Sequence, residues 1–338
     1  IGIQGFAGDQ LVSLYRYYGK LTTPAGQPVQ YSASEIELLN SLRQGLPLRL
    51  HLASPTVPLF RAELARDLGF APLADSGPSV IPTGAPLVVT GHSLGGHLAL
   101  LFGRLFPSVT EHVYTYNAPG ISLIGEGGLR WLGIGPIDAA RVTNVAARMG
   151  SETVSRIWSK PGENIGVFTE AGSSLYQHSI VPLTDSLALY DAFATLSPGL
   201  SGNPAAVSGI LSAASPYSED SLEVVLDALR TTLGAGGSPT LIARGLSDLA
   251  ARDDYYQNLY ALVDGRSPGR DYRIESLAGK TAGEIAAMAG ADVSVRFALN
   301  ELTPFAARNA DFSSFEDSFF GQWLGSRALR LGGIKSLH

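Results

Sequence analysis

Residues 86–106 read Pro86-Leu-Val-Val-Thr90, Gly91-His-Ser-Leu-Gly-Gly96 and His97-Leu-Ala-Leu-Leu-Phe-Gly-Arg-Leu-Phe106. The first run is rich in β-branched residues and predicts a buried strand. The last run predicts a helix that ends before Pro107. The glycines between them therefore lie at a turn that leads directly from a strand into a helix.

Two further strands are predicted on the C-terminal side of this turn. They are His112-Val-Tyr-Thr-Tyr116 and Arg141-Val-Thr-Asn-Val-Ala-Ala147. Strands that alternate with helices are typical of a parallel sheet, so the expected fold class is α/β.

A helix near residues 185–195 is followed by a cluster of Pro, Gly and Ser at residues 197–204, which indicates a domain boundary. We therefore expect an α/β core over residues 1–196 and a mostly helical extension over residues 197–338, packed on the core or capping it. The helical patterns of the extension cover 218–233, 241–263, 281–302 and 315–331, and Thr281 with Glu284 predicts a capping box.

The composition limits the classes of function. The chain has 338 residues, which is enough for a large catalytic domain with an appended subdomain. Its 24 Lys and Arg and 30 Asp and Glu give a formal net charge of -6 without a basic stretch, so we expect no nucleic-acid partner. The absence of cysteine excludes disulfides, thiolate chemistry and Cys-based zinc sites. No apolar run approaches the ~18 residues of a membrane span.

The turn fits the Gly-x-Ser-x-Gly pattern of a nucleophile elbow, with Ser93 as the nucleophile. The pattern predicts that the positions of Gly91 and Gly95 require glycine, because a side chain there would keep the strand and the helix apart. The N–H of Leu94 is then the first candidate donor to an oxyanion, because the positive end of the following helix faces the reaction centre. His92 lies in the same turn and is a candidate substrate contact.

A serine hydroxyl needs a general base, and the chain offers six histidines. In folds with this elbow the triad follows the chain order Ser, acid, His, which leaves His178 and His338. His178 is preferred because it lies in a predicted polar loop after the third strand. His51, His92, His97 and His112 are excluded by their positions.

The acid should follow the C-terminal end of a strand, between the serine and the histidine in chain order. Glu152 follows the third strand directly and is the first candidate. Glu170 is the runner-up and Glu163 is weaker, whereas Asp138 precedes the strand and is on the wrong side.

An apolar, glycine-rich stretch covers Ile121–Ile137 between the second and third strands. It shows no strong helix signal, and two interpretations are open, a substrate-facing flap or a loop that its neighbours bury. Trp131 is the candidate substrate contact of this stretch.

The motifs Gly91-His-Ser-Leu-Gly-Gly-His97 and Thr115-Tyr-Asn-Ala-Pro-Gly120 resemble those of the lipase class 3 branch of the α/β-hydrolases. The stretch from Arg141 to Val154 resembles the next strand of that family and its acid-x-Val segment. The closest resemblance is to lipase domains in large secreted bacterial proteins with calcium-binding repeats. The similarity covers residues 86–195 with specific motifs.

The resemblance implies an α/β-hydrolase fold and a serine carboxylester hydrolase, a lipase or esterase, that forms an acyl-enzyme on Ser93. Polyester hydrolase and phospholipase A activity with the same triad remain open, and so does a catalytically impaired domain that binds lipid or a partner. The chemistry needs no metal and no organic cofactor, so we expect none. The expected partner is a lipid or other ester.

The resemblance further implies contact with a lipid interface, secretion, and membership of a larger polypeptide. The first residues do not show the regions of a signal peptide, so secretion is expected from the resemblance alone.

Two departures from the family concern the site. The acid is Glu152 where the family usually has Asp, and the strand that supplies the second oxyanion donor is not evident. Ile1-Gly-Ile-Gln-Gly-Phe6 resembles the segment after that strand, so the second donor is expected upstream of Ile1.

Overall fold

The computed structural model describes residues 7–27, 29–44, 80–148, 152–215, 219–266 and 271–315. Within these ranges the chain is an α/β protein, as the sequence predicts. The strands are β1 Leu87–His92, β2 Thr110–Tyr116, β3 Val142–Ala147, β4 Glu163–Val167, β5 Arg273–Ser276 and β6 Phe305–Arg308. The helices are α1 Gly8–Thr22, α2 Ala33–Gln44, α3 Leu94–Leu105, α4 Leu123–Trp131, α5 Ser174–His178, α6 Ile180–Leu196, α7 Pro204–Ala214, α8 Ser221–Thr232, α9 Leu249–Asp264, α10 Ala282–Ala291 and α11 Val293–Glu301.

Four strands form one sheet in the order β1-β2-β3-β4. β1 pairs in parallel with β2, which pairs in parallel with β3. β4 runs in the same direction, because Gly162 lies against Val142 at one end and the N–H of Arg148 donates to the carbonyl of Val167 at the other. α3 connects β1 to β2, and α4 lies between β2 and β3, as expected for parallel strands. β5 and β6 form a separate antiparallel pair.

The three predicted strands are confirmed, but the predicted burial of the first is wrong. Val88 is 56% exposed and Thr90 is also exposed. β1 is the edge strand of the described sheet, and Val89, on its other face, packs against a cluster that includes Leu100 of α3 and Val113 of β2. β4 was not predicted as a strand, since Glu-Asn-Ile-Gly-Val carries only two β-branched residues.

The contacts of the chain divide it into two units. Unit 1 consists of the described parts of Ile1–Ala146 and Thr153–Ile165, and unit 2 of those of Ala147–Glu152 and Gly166–His338. The boundary expected after residue 196 stays a prediction, and it does not coincide with this division of contacts. The reason is that α6 packs within unit 2. Its core side chains Leu189, Phe193 and Leu196 share one buried cluster with residues of α7, α8 and α9.

The helical pattern over residues 281–302 forms two helices. Asp292 has an extended backbone (φ -133°, ψ 115°), and its carboxylate accepts from the N–H of Ser294 and so begins the second helix. The capping box of Thr281 and Glu284 is confirmed. The pattern over 218–233 forms α8, that over 241–263 forms α9 from Leu249 on, and that over 315–331 lies almost wholly outside the described residues. In the described ranges, no helix combines the length and apolar character that a bilayer span requires.

Within unit 2, Asp185 ties α6 to α9. Its carboxylate accepts from Arg252 at 2.7 and 2.9 Å and from the Tyr256 hydroxyl at 2.8 Å. Its carbonyl accepts from the hydroxyl of Tyr255 at 3.0 Å. Hydrogen bonds to a charged group in a mostly buried position are among the stronger polar contributions to stability. α6 begins two residues after His178, so this contact also fixes the helix that follows a candidate site residue.

We predict that Asp185→Ala lowers the free energy of unfolding by about 2–4 kcal/mol, because it leaves the partly buried guanidinium of Arg252 without its anion. Asp191→Ala on the exposed side of α6 is the matched control and should change stability little. Thermal and urea unfolding measure both. Equal stability of the two variants would contradict a tie at Asp185.

Candidate active site

Ser93 connects β1 to α3 in a strained backbone conformation. Its φ of 55° and ψ of -124° lie in a region that residues with a side chain rarely adopt. The N–H of Ser93 donates to the carbonyl of Tyr116 at 2.9 Å, and its carbonyl accepts from the N–H of His97 at 3.1 Å. Strand and helix thus hold the serine from both sides. Strain of this kind is typical of a nucleophile elbow.

Two glycines allow the close approach of β1 and α3, but they are not the expected pair. A Cβ on Gly91 would overlap the carbonyl of Gly95. A Cβ on Gly96 would lie 2.5 Å from the Cβ of Ala118 and 2.7 Å from the carbonyl oxygen of Gly91. A Cβ on Gly95 would meet no atom within 4 Å, and Gly95 is exposed. The steric need for glycine that was predicted at Gly95 therefore applies to Gly96.

Leu94 is the first residue of α3. The N–H groups of a helix's first turn have no partner within the helix, and the helix dipole gives them a partial positive charge. An oxyanion that forms beside Ser93 would meet this end of α3. The oxyanion role of the Leu94 N–H stays a prediction. His92 is the last residue of β1 and directly precedes the serine.

The Asn117–Gly120 loop, which follows β2, packs against α3. Asn117 has a φ of 45°, and its N–H donates to the carbonyl of Val145. His97 of α3 contacts the carbonyl oxygen of Gly120 through Nδ1 at 3.0 Å. The ring of His97 is fully buried, and burial lowers its pKa, so it is neutral and donates from Nδ1. The exclusion of His97 as a base agrees with this structural role.

In unit 2, the buried Glu152 contacts the partly buried His178. Glu152 Oε1 lies 3.0 Å from His178 Nδ1, and Glu152 is only 1% exposed. The carboxylate can only accept, so the proton of a neutral imidazole is on Nδ1 and Nε2 keeps the lone pair of a base. Glu152 thereby fixes the tautomer that a general base requires and would stabilise the imidazolium when Nε2 takes a proton.

The sequence predicted that His178 lies in a loop, but the residue ends the short helix α5. The Ser173 hydroxyl caps the helix by accepting from the N–H of Tyr176. Ser179 ends α5 and also caps α6 through the N–H of Val181. Gln177 donates from its side chain to the carbonyl of Glu170 at 3.1 Å, which ties α5 to the segment after β4.

Glu170 makes different contacts from Glu152. Its Oε1 accepts from the N–H of Leu222 in the first turn of α8 at 2.9 Å, and its neighbour is the carboxyl of Glu223. Burial, and then the charge of Glu223, raises the pKa of Glu170 to about 9. Glu170 is therefore protonated near neutral pH, and a neutral carboxyl cannot stabilise an imidazolium. Of the two candidate acids, Glu152 is the one whose carboxyl contacts His178 Nδ1.

A cavity of about 660 Å³ lies beside α5 in unit 2. Its wall includes Ser173 and Tyr176 of the α5 region together with Asp220, Ile242 and Arg244. The lining combines apolar and charged side chains. Neither His178 nor Glu152 is among the residues that line it.

The remaining predicted site residues lie in unit 1. Ile121–Ile137 contains the helix α4, which the sequence did not predict, and Trp131 ends this helix with most of its ring exposed. A role of the stretch as a substrate-facing flap stays a prediction. Asp138 precedes β3 and accepts from the N–H of Ala140, which is consistent with its exclusion as the acid partner of the histidine. Ile1–Phe6, the predicted neighbour of the second oxyanion donor, lies outside the described residues. Across the described ranges, no three or more His, Asp and Glu side chains form a group that could hold a metal ion.

Sequence reasoning missed Gly96 and Gln177. The Gly95-Gly96 doublet signalled that one of these glycines could be needed for close packing. Only the contact with Ala118 shows that it is Gly96. Gln177 gave no signal, since the carbonyl that it contacts belongs to the segment after β4.

No protein-family profile matches this chain, and the searches of curated proteins and of solved structures also give no match.

We predict opposite effects for alanine at the two neighbouring glycines. Gly96→Ala should lower the free energy of unfolding by about 1–3 kcal/mol, because its methyl group overlaps Ala118 and Gly91. Gly95→Ala should be neutral or stabilise by about 0.5–1 kcal/mol, because it adds a helix-favouring residue in open space. Denaturant unfolding compares the two variants. If Gly95→Ala is the more destabilising, the assignment of the close contact is wrong.

We predict that Glu170→Gln makes the protein more stable at alkaline pH. Unfolded glutamate ionises near its ordinary pKa of 4.5, whereas folded Glu170 keeps its proton to about 9. The folded state therefore binds the extra proton between these values, and its stability falls as the pH rises through that window. Glutamine mimics the protonated carboxyl and removes this loss.

The measurement is the melting temperature of parent and variant from pH 5 to 9, where the advantage of Glu170→Gln should grow with pH. Glu219→Gln replaces an exposed glutamate of the same unit and is the control. A constant difference between Glu170→Gln and the parent across this range would contradict a protonated Glu170.

Proposed function

We propose that this protein is a serine carboxylester hydrolase with an α/β-hydrolase fold, a lipase or esterase. Ser93 is the nucleophile, His178 the general base and Glu152 the acid that orients it. The parallel sheet and the strand-to-helix turn at Ser93 support the fold assignment. The resemblance of the motifs around Ser93 and Asn117 to lipase class 3 supports the substrate class.

The contact between Glu152 and His178 is the observation that carries the proposal. A Gly-x-Ser-x-Gly pattern occurs by chance in many proteins. A fully buried carboxylate bonded to the Nδ1 of the histidine that chain order selects is an independent feature. Burial of an ionised carboxylate is costly unless it is paired, and the imidazole of His178 is such a partner for Glu152.

In the proposed acylation, Ser93 Oγ attacks the ester carbonyl carbon while His178 Nε2 takes the hydroxyl proton. The C=O π pair moves to the oxygen, and the N–H of Leu94 donates to the resulting oxyanion. When the tetrahedral intermediate collapses, the C–O bond to the alcohol breaks. His178 returns its proton to the leaving alkoxide, and the acyl group stays on Ser93.

In the proposed deacylation, water attacks the acyl-enzyme and His178 takes one of its protons. Collapse of the second intermediate breaks the bond to Ser93 Oγ, which regains the proton from His178. Glu152 stays ionised throughout and stabilises each imidazolium. A site with a single oxyanion donor would lose on the order of 10²- to 10³-fold in turnover, so the rate reports whether a second donor acts.

Esters of fatty acids, phospholipids and polyesters all undergo this chemistry. Comparison of a triglyceride emulsion, a phospholipid and a polyester film would rank these substrates.

We predict that Ser93→Ala abolishes release of p-nitrophenol from short-chain and long-chain p-nitrophenyl esters, with a loss on the order of 10⁶-fold in kcat. Glu152→Gln should lower kcat on the order of 10⁴-fold, because the amide no longer fixes the productive tautomer. Glu170→Gln is the matched control. It makes the same chemical change at a buried carboxyl that is already neutral, and it should stay close to the parent.

Turnover that survives in Ser93→Ala would refute the nucleophile, and a Glu170→Gln variant as inactive as Glu152→Gln would refute the choice of acid. Absence of turnover in the parent, together with no labelling of Ser93 by a fluorophosphonate, would refute the hydrolase. Labelling without turnover would point to the impaired, lipid-binding alternative. Thermal unfolding of each variant separates loss of chemistry from loss of fold.

A further inference from the structure

A cavity of unit 2 has the size and the lining of a small-molecule site. It is the cavity of about 660 Å³ beside α5, and its wall consists of residues 171–173 with Tyr176, the two residues 219–220 before α8, and the segment 242–245 between α8 and α9. Sites for small molecules usually have volumes of this order, with a few polar groups set among apolar ones. The charged groups of the wall therefore indicate which kind of ligand the cavity would recognise.

Asp220 directly precedes α8, and its carboxylate does not cap this helix. An aspartate at this position normally accepts from an N–H of the first turn. Here the N–H of Leu222 donates to Glu170 instead, and Asp220 makes no such bond. Among the described residues, no group bonds to Asp220 Oδ1 or to the hydroxyl of Ser221, although both atoms are buried. A buried polar atom that is left unpaired costs free energy, so a donor from a ligand would be favourable at Asp220.

The positive charge in the wall belongs to Arg244. Its backbone N–H donates to Asp248 at 3.2 Å, but its guanidinium forms no ion pair or hydrogen bond with the part of the chain that the structure describes. Arg244 and Asp220 thus line one cavity without pairing with each other. Glu219, which is exposed, adds a second carboxylate next to Asp220. A ligand that carries both a positive and a negative group would find a partner for each.

The segment that carries Arg244 has no regular secondary structure, yet hydrogen bonds fix it in place. Carboxylates of α8 and α9 accept from its backbone N–H groups, namely Asp227 from Thr240 at 2.8 Å, Asp254 from Leu241 at 2.8 Å and Glu223 from Ala243 at 3.3 Å. At α5, a Cβ on Gly172 would lie 2.5 Å from the ring of Tyr176, so this ring packs directly on the backbone. The cavity is therefore preformed, which lowers the entropic cost of binding.

The wall also has an apolar part. It consists of the ring of Tyr176 and the side chain of Ile242, together with the methyl groups of Ala171 and Ala243. Ile242 is 44% exposed, so much of its surface is open to contact with a ligand. A branched aliphatic side chain of a ligand would lose apolar surface to water-free contact here, and this favours binding.

We infer that this cavity binds a zwitterion with an apolar side chain, a free amino acid such as leucine or a short apolar peptide. The ammonium group of the ligand donates to Asp220, and its carboxylate accepts from the guanidinium of Arg244. Its side chain contacts Ile242 and Tyr176. The residues that line the cavity include none of the proposed catalytic groups, so the inference does not depend on hydrolysis.

Titration calorimetry of the full chain tests the two charges separately. The ligands are leucine, the dipeptide leucyl-leucine, leucinamide, which keeps only the ammonium group, and isocaproate, which keeps only the carboxylate. We expect saturable binding of a zwitterion, and the tighter of the first two ligands distinguishes an amino acid from a peptide. Asp220→Asn should lower the affinity for leucine and for leucinamide about tenfold. Arg244→Gln should lower the affinity for leucine about fivefold and leave that for leucinamide unchanged.

Asp253→Asn and Arg273→Gln are the matched controls, since both residues are exposed in unit 2 and lie outside the lining of this cavity. Both should bind leucine like the parent. Absence of saturable binding of either zwitterion up to about 10 mM would overturn the inference. So would isocaproate that binds as tightly as leucine, or an equal loss of leucine and leucinamide in Arg244→Gln.

Thermal unfolding of each variant separates loss of binding from loss of fold. Asp220 makes no cap bond, so its replacement by asparagine should leave α8 intact and the melting temperature close to that of the parent. Because no ester is hydrolysed in the titration, its failure is separate from a failure of the proposed hydrolase.

Discussion

The close approach of β1 to α3 is the constraint on which unit 1 depends. Gly91 and Gly96 pack so closely that neither position has room for a side chain. Between them the chain turns from β1 into α3 at Ser93, which has a positive φ. The same contact brings Ala118 against α3, and so positions the loop after β2. A strained serine at the positive end of a helix is suited to chemistry in which negative charge develops beside it.

Two buried glutamates in unit 2 show how surroundings decide the role of a side chain. Glu152 contacts an imidazole nitrogen, and its negative charge therefore has a partner. Glu170 contacts a backbone N–H and faces a second carboxyl, so its pKa rises and it keeps its proton. The two residues have the same chemistry and follow neighbouring strands in the chain. Their environments therefore differ, because Glu152 contacts an imidazole whereas burial and a second carboxyl keep Glu170 neutral.

The helix α4 carries its apolar residues on both sides, and each side has a different use. The inner side joins the core of unit 1, and the outer side remains exposed. An exposed apolar stripe costs solubility and is seldom kept without a partner.

The sequence by itself determined the α/β class, three of the four sheet strands and the strand-to-helix turn at Ser93, and it proposed His178 and Glu152 as site residues. These features depend on local patterns and on chain order, which are readable along one dimension. It could not determine β4, the break at Asp292, the placing of α6 in unit 2 or the role of Gly96, because each depends on contacts between distant residues. The protonation of Glu170 was also beyond it, since a pKa depends on burial and on Glu223, which only tertiary packing brings near.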